Sequence, residues 1–448
     1  MYKKFIQAIT WNSINIFLYK AILLTHQVVL FYFIPKSMYG TSGALFATIY
    51  MIIGLTGFGF DYSLFSYFAE YSKNQSCFKK LIPQYIIRLI TIIIVASLLY
   101  AIYIQKTHPK IISFLIEGIP LGLLPYLLLI FVSESFKRSL ETLAQLAFLN
   151  KKITKIQVSM ILLYVILFWG AYAVNKNITL HNIFIPMVII SYLEIVFLYR
   201  IIKNYYHSLS KDNSCHDLYK RTITKNQIYN YINQVSKNFF SPNFLMLIIA
   251  YNLGMHQAGT IRFFTNIITL LYMLLHRSVS VPSGALLSNM TKEAFVKIKE
   301  VFLTVTNTYI QFLYALAITF AITIIPHVIA NVAETSITYH ILLFIIAGFT
   351  EYLTLTYEKL YITQNASNVL FYINIISVSS LFIILSLVSN TYQPLLLIPI
   401  ICIRIMSACS IGIYAYRKWQ IRPNLSILPQ TLYVSFALAA ILQFIINR

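Results

Sequence analysis

Long apolar segments follow one another along almost the whole chain, with only brief polar interruptions between them. A helix that crosses a bilayer needs roughly 20 mostly apolar residues, and the pattern predicts twelve such helices and a candidate thirteenth at 429–446. The segments lack the two-residue alternation of an outer-membrane barrel. We therefore predict an all-α, polytopic membrane protein. The predicted spans are 12–34, 42–70, 83–104, 114–136, 156–174, 180–202, 228–252, 258–288, 302–326, 337–361, 368–389 and 393–416.

A hydrophilic interval from about 203 to 230 interrupts the apolar pattern in the middle of the chain. It is too short to bury a core of its own, so it predicts a cytoplasmic linker rather than a domain. The resulting organisation has a six-helix lobe at 1–203, a linker at 204–228, a second six-helix lobe at 229–418 and a candidate extra transmembrane helix at 419–448.

The two predicted lobes show a weak internal repeat. Gly40-Thr41 opens the second span and Gly259-Thr260 opens the eighth, at an offset of 219 residues. Six helices repeated in the same orientation predict an axis along the membrane normal, as in rocker-type transporters.

Both of these spans are overlong, and each carries a helix-breaking sequence in its second half. The breaks are predicted at Gly57 and Gly59 in the second span and at Pro282 in the eighth. Broken helices in membrane proteins are tolerated where the freed backbone lines a cavity or is buried in protein.

Composition agrees with a membrane protein and excludes an ordinary soluble domain. The chain is 58% hydrophobic and 10% charged, whereas soluble domains are about 25% charged. The net charge of +21 does not predict nucleic-acid binding, because the basic residues are spread over alternate loops. With the first helix running outward, 23 of 34 Lys and Arg fall on the cytoplasmic side, which predicts a cytoplasmic N-terminus.

Two stretches resemble polysaccharide flippases. Residues 39–71 (YGTSGALFATIYMIIGLTGFGFDYSLFSYFAEY) resemble the second helix of these proteins, and residues 252–275 (NLGMHQAGTIRFFTNIITLLYMLL) resemble their seventh-to-eighth turn. Pro282 falls where that helix often carries a proline. The likeness is to the Wzx-type branch of the multidrug, oligosaccharidyl-lipid and polysaccharide exporter (MOP) superfamily and covers the first twelve spans. The thirteenth span departs from this twelve-helix pattern.

The resemblance implies a V-shaped bundle of two lobes with a central cavity that alternates between inward-facing and outward-facing states. It also implies a polyprenyl-pyrophosphate-linked oligosaccharide as cargo, the bacterial inner membrane as location, and membrane lipids and glycan-assembly enzymes as partners. Carrying a glycan and its pyrophosphate through hydrocarbon requires a hydrated, cationic path, because desolvating such groups is costly.

Embedded basic residues are the candidate cargo contacts, since ionisable groups in spans are expensive and default to functional hypotheses. Arg404 lies near the middle of the twelfth span and is the first candidate. Lys20 could line the cavity or anchor at the interface, and Arg277 precedes the Pro282 break. Arg88 and Arg262 lie near helix ends, which favours interfacial anchoring.

Embedded acids are candidates for ion coupling or charge pairing. Asp61 follows the second-span break, and it either pairs with a cation or caps the helix. Glu194 and Glu351 lie deeper and could bind H⁺ or Na⁺ or pair with a neighbouring cation. Glu134 is placed near a helix end in solvent, and His26 is a candidate for proton coupling.

Other functions fit the sequence less well. A drug or cation antiporter should present acids in its cleft, whereas here the deep basic residues at least match the acids in number. An integral-membrane transferase should cluster His and Asp or pair two carboxylates. The cytoplasmic loops contain no phosphate-binding glycine-rich loop, and the four cysteines lack metal-ligand spacing. We expect no enzymatic activity, no metal and no cofactor apart from a coupling H⁺ or Na⁺.

Overall fold

A computed structural model describes most of the first half of the chain and part of the second. The described residues are 2–57, 59–104, 121–211 and 220–241, individual residues between 244 and 287, most of 358–387, and 397–420 with Ala437. The chain divides into two compact units, Met1–Arg262 and Phe263–Arg448. The first unit therefore reaches beyond the linker that the sequence suggests.

Among the described residues, nine α-helices of the first unit and two of the second are described from end to end. Those of the first unit are α1 (Tyr2–Phe33), α2 (Lys36–Leu55), α3 (Phe60–Tyr71), α4 (Gln75–Lys79), α5 (Leu81–Ile104), α6 (Leu124–Leu146), α7 (Asn150–Asn175), α8 (Leu180–Ser208) and α9 (Lys220–Asn238). Those of the second are α10 (Ser367–Leu387) and α11 (Leu397–Trp419), which pack against each other.

Six helices within the described residues are long and apolar enough to cross a membrane. They lie at Lys3–Phe33, Lys36–Leu55, Gln75–Ala101, Asn150–Val174, Leu180–Ser208 and Ser367–Ile384. On α5, large apolar side chains are half exposed or more, among them Ile87 at 65% and Leu98 at 56%. Such a surface is suited to lipid rather than water. The predicted all-α, polytopic class is confirmed.

The core of the first unit lies where α2, α5, α6 and α8 meet. Its fully buried side chains include Ile92, Ile130, Phe131 and Phe184, and Ile53 of α2 packs with them. Around this core α6 packs along α8, and α7 packs along both α8 and α1. The helices are thus held by apolar packing on their inner faces.

Polar side chains tie α1 to α7. Asn150 donates through Nδ2 to Oδ1 of Asn12 over 2.7 Å, and the hydroxyl of Thr154 donates to the carbonyl oxygen of Trp11 over 3.1 Å. Hydrogen bonds between membrane helices contribute roughly 0.6 to 2 kcal/mol each. This seam fixes the register of the two helices.

The overlong second span is divided into two helices. α2 ends at Leu55 and α3 begins at Phe60, so the interruption contains both Gly57 and Gly59. Gly59 has a φ of +67°, a left-handed conformation that glycine adopts without steric strain. A Cβ atom on Gly59 would also lie 2.6 Å from the amide nitrogen of Tyr231 in α9. The glycine is therefore required both for the turn and for the close approach of α9.

Candidate functional site

The backbones of α2 and a later helical segment cross in direct contact at two glycines. A Cβ atom on Gly40 would lie 2.9 Å from the amide nitrogen of Gly259 and would overlap the carbonyl oxygen of Met255. A Cβ atom on Gly259 would lie 3.1 Å from the amide nitrogen of Gly40 and would overlap the carbonyl oxygen of Lys36. We call these four residues the glycine crossing.

The glycine crossing is reciprocal. Lys36 and Met255 are separated by the same offset of 219 residues as Gly40 and Gly259. Gly40 lies against Met255, and its repeat equivalent Gly259 lies against Lys36, the repeat equivalent of Met255. A two-fold axis produces this kind of self-complementary contact. The loose sequence repeat therefore corresponds to a local two-fold relation in space.

Small residues extend the crossing along α2. Ala44 and Ala47 are buried against Ala258, with Met255 and Leu247 packed beside them. In a bilayer no hydrophobic driving force brings helices together, because lipid tails are as apolar as the side chains. Small side chains favour the contact because they let the two backbones approach and pack closely. The contact therefore depends on small residues in both segments.

Arg262 lies across α2 next to the glycine crossing. Its Nη1 donates to the carbonyl oxygen of Tyr39 and to the hydroxyl of Ser42, each over 2.8 Å. The guanidinium lies 5.0 Å from the ring centroid of Tyr39, and Gly43 leaves room for the side chain, since a Cβ there would lie 2.5 Å from Nη1. The expected interfacial anchor is wrong, because a tertiary contact takes this side chain into the protein.

The α2–α3 break is covered by the polar helix α9. A Cβ atom on Gly57 would lie 2.7 Å from Nε2 of Gln234, and one on Gly54 would lie 2.6 Å from Oδ1 of Asn238. The glycines near the α2–α3 break thus let the carboxamide groups of α9 lie directly against its backbone.

A second group of polar side chains joins α6 to α8. Nζ of Lys137 lies 2.8 Å from Oε2 of Glu194 and also forms an ion pair with Glu134. The hydroxyl of Ser191 donates to Oε1 of Glu134 over 2.6 Å. We call Glu134, Lys137 and Glu194 the charge cluster, and their side chains are only 4 to 14% exposed.

The solvent-exposed position expected for Glu134 is wrong. The predicted span ends at 136, whereas α6 continues to Leu146, so Glu134 and Lys137 lie inside the helix rather than at its end. Their i,i+3 spacing places them on the same helix face. That spacing is the sequence signal that could have identified the pair.

Asp61 forms a bidentate ion pair with Arg88. Nη1 and Nη2 of Arg88 lie 2.6 and 3.0 Å from the two carboxylate oxygens, and the Arg88 side chain is 5% exposed. The ring of Phe60 lies 5.6 Å from the guanidinium carbon. Arg88 is thus a buried partner of α3, and its expected role as an interfacial anchor is wrong. Sequence alone does not bring α3 and α5 together.

The remaining candidates are distributed between both units. Arg404 is buried on α11, with 6% exposure. Lys20 is half-buried on α1, with its Nζ 5.8 Å from the ring centroid of Tyr19. Pro282 is helical and buried, and its immediate neighbours lie outside the described residues. Arg277 and Glu351 also lie outside the described residues.

His26 is enclosed by aromatic rings of α7. Its ring centroid lies 4.8 Å from that of Phe168 and 5.3 Å from that of Tyr164, in edge-to-face contacts. The side chain is 3% exposed, and neither ring nitrogen has a hydrogen-bond partner among the described residues. His26 is therefore packed into the contact between α1 and α7.

Solved structures with the same fold are membrane transporters. A MATE transporter from Vibrio cholerae, VcmN, superposes with a TM-score of 0.61 at 13% identity, over 94% of this chain and 98% of that one. An outward-facing multidrug resistance MATE transporter of the MOP superfamily gives 0.64 at 10% identity, over 92% and 95%.

A third similar structure is a MOP superfamily transporter from Pyrococcus furiosus, for which a binding pocket of reverse polarity suggests a different function. Its TM-score is 0.59 at 13% identity, over 92% of this chain and 95% of that one. No protein-family profile and no curated protein sequence matches the chain. The chain therefore has the fold of MATE transporters of the MOP superfamily and is a multi-pass membrane protein.

Proposed function

We propose that this protein moves a polyprenyl-pyrophosphate-linked oligosaccharide across the bacterial inner membrane by alternating access. The fold is that of membrane transporters, and a fold by itself leaves the cargo open. The reciprocal glycine crossing supports a cycle in which two related segments close against each other. Such a cycle needs two states of similar free energy that cargo contacts bias.

The pairing of the embedded charges carries the proposal of an anionic cargo. Among the described residues of the first unit, Asp61, Glu134 and Glu194 each contact a lysine or an arginine. A cationic drug would have to compete with those side chains for the acids. Arg404 is a buried cation of the second unit, and arginine is well suited to bind pyrophosphate oxygens.

The charge cluster supports ion coupling in the same cycle. When all three groups are ionised, two carboxylates face one ammonium, and one negative charge is in excess. Burial of such an excess is unfavourable, so uptake of H⁺ or a small cation relieves it. We assign the coupling ion of the proposed cycle to this cluster.

A cation or drug antiporter is the second candidate function. The observation that favours it is the fold, since two of the similar structures are MATE transporters and one of them is a multidrug resistance protein. The two candidates differ in the charge of the cargo, and that difference is directly measurable.

The test uses purified protein in proteoliposomes. A polyprenyl-pyrophosphate-linked oligosaccharide with a fluorophore on the sugar reports flipping through quenching by dithionite, and ethidium transport is followed in parallel vesicles. We expect flipping above that of protein-free vesicles and no ethidium transport. Ethidium transport without flipping would instead establish the antiporter.

Arg404→Ala should slow this flipping. Loss of one charge-assisted hydrogen bond costs about 1.5 to 3 kcal/mol, which corresponds to roughly 10- to 100-fold in binding. Arg417→Ala is the matched control, because Arg417 is exposed on the same helix. Equal rates for the two variants would remove Arg404 from the cargo site.

A further inference from the structure

Helix α9 carries a stripe of carboxamides on one face. Asn230, Gln234 and Asn238 recur every four residues, and residues at this spacing lie on the same side of a helix. We call these three residues the amide face. The amide face lies against the α2–α3 break, where Gly57 contacts Gln234 and Gly54 contacts Asn238.

Asn230 of the amide face is buried and Gln234 and Asn238 are half-buried, but much of the hydrogen-bonding capacity of these side chains is unused within the protein. Asn230 is 1% exposed, and neither its Oδ1 nor its Nδ2 has a protein partner among the described residues. The same holds for Oε1 of Gln234 and Nδ2 of Asn238. Each unsatisfied buried group costs roughly 1 to 3 kcal/mol, so apolar side chains would stabilise this contact better.

A group without a protein partner is expected to bind water or a ligand. A carboxamide both donates and accepts hydrogen bonds and carries no charge. A sugar hydroxyl has the same two capacities, whereas a pyrophosphate selects arginine or lysine and a cationic drug selects carboxylates. The chemistry of the amide face therefore matches the glycan part of the proposed cargo rather than its pyrophosphate.

Access to the amide face requires separation of α9 from the break. Gly57 and Gly59 lie between the two helices α2 and α3, and the left-handed Gly59 lies against the backbone of Tyr231. The glycines on the contact surface of the break have no side chains that interdigitate with α9. The break and α9 can therefore separate without disrupting side-chain packing between them.

We propose that the amide face of α9, once separated from the α2–α3 break, binds the sugar hydroxyl groups of the lipid-linked oligosaccharide during transport. The inference rests on the proposed function and assigns to this surface the recognition of the glycan. The pyrophosphate is recognised elsewhere, by basic side chains.

The test compares two cargoes with the double variant Asn230→Ala/Gln234→Ala. In proteoliposomes, the variant should flip the full oligosaccharide-lipid about tenfold more slowly, the effect of roughly one lost hydrogen bond. Its rate with the same lipid carrying a single sugar should equal that of the wild type. Its thermal midpoint in detergent should not fall, since both polar atoms of the Asn230 side chain and Oε1 of Gln234 have no protein partner among the described residues.

Gln145→Ala is the control variant, because its amide already donates to Glu141 of the same helix over 2.9 Å. It should leave the ratio of the two flipping rates unchanged. If the double variant left the ratio of the two flipping rates unchanged, the inference would be overturned. Equal slowing with both cargoes together with a lower thermal midpoint would show that the amides are structural. Failure of the wild type to flip either cargo would instead overturn the proposed function.

Discussion

Replacing Gly40 by leucine is expected to reduce transport by roughly 5- to 150-fold, the equivalent of the 1 to 3 kcal/mol that overpacking costs. The new side chain would overlap the carbonyl oxygen of Met255 and approach the amide of Gly259, so the two segments could no longer close. Gly259→Leu should have the same effect, because the contact is reciprocal. The measurement is the flipping rate of the labelled oligosaccharide-lipid at equal amounts of inserted protein.

Thr41→Leu provides the control for this prediction. Thr41 is adjacent to Gly40 and half-buried, and its hydroxyl bonds within its own helix to the carbonyl oxygen of Ser37. Leucine there adds bulk beside the glycine crossing rather than inside it. Transport by Gly40→Leu at the rate of Thr41→Leu would show that closure of the crossing is not needed.

Replacing Lys137 by methionine should destabilise the first unit by about 3 to 5 kcal/mol, the range for breaking a buried ion pair by removing one partner. The change leaves the carboxylates of Glu134 and Glu194 close together without the ammonium that both contact. The measurement is the thermal midpoint of the purified protein in detergent, together with its yield from the membrane.

Two further variants make the charge-cluster prediction specific. Lys152→Met removes an exposed lysine and should leave the midpoint nearly unchanged, as expected of a surface charge. Adding Glu134→Gln and Glu194→Gln to Lys137→Met should restore most of the loss, because a neutral replacement of a whole ion network is often tolerated. A midpoint for Lys137→Met equal to that of Lys152→Met would contradict the importance of the cluster.

Hydrophobicity alone determined that this is an all-α membrane protein. Apolar runs of bilayer length leave helices as the structure that satisfies every backbone group, so α1, α7 and α8 could be read from the pattern. The break at Gly57 and Gly59 was predictable for a related reason, since glycine in a long apolar helix weakens it locally. The Gly40 and Gly259 correspondence was visible as a repeat, but not as a contact.

Only the tertiary structure decided which polar groups meet. Asp61 and Arg88 lie 27 residues apart, and Glu134 and Glu194 belong to different helices. Their pairing depends on how the helices rotate and cross, which the apolar pattern does not specify because lipid-facing and protein-facing positions are equally apolar. The sequence therefore determined that the protein lies in a membrane and which segments form helices. The packing of those helices determined the partner of each embedded charge and amide.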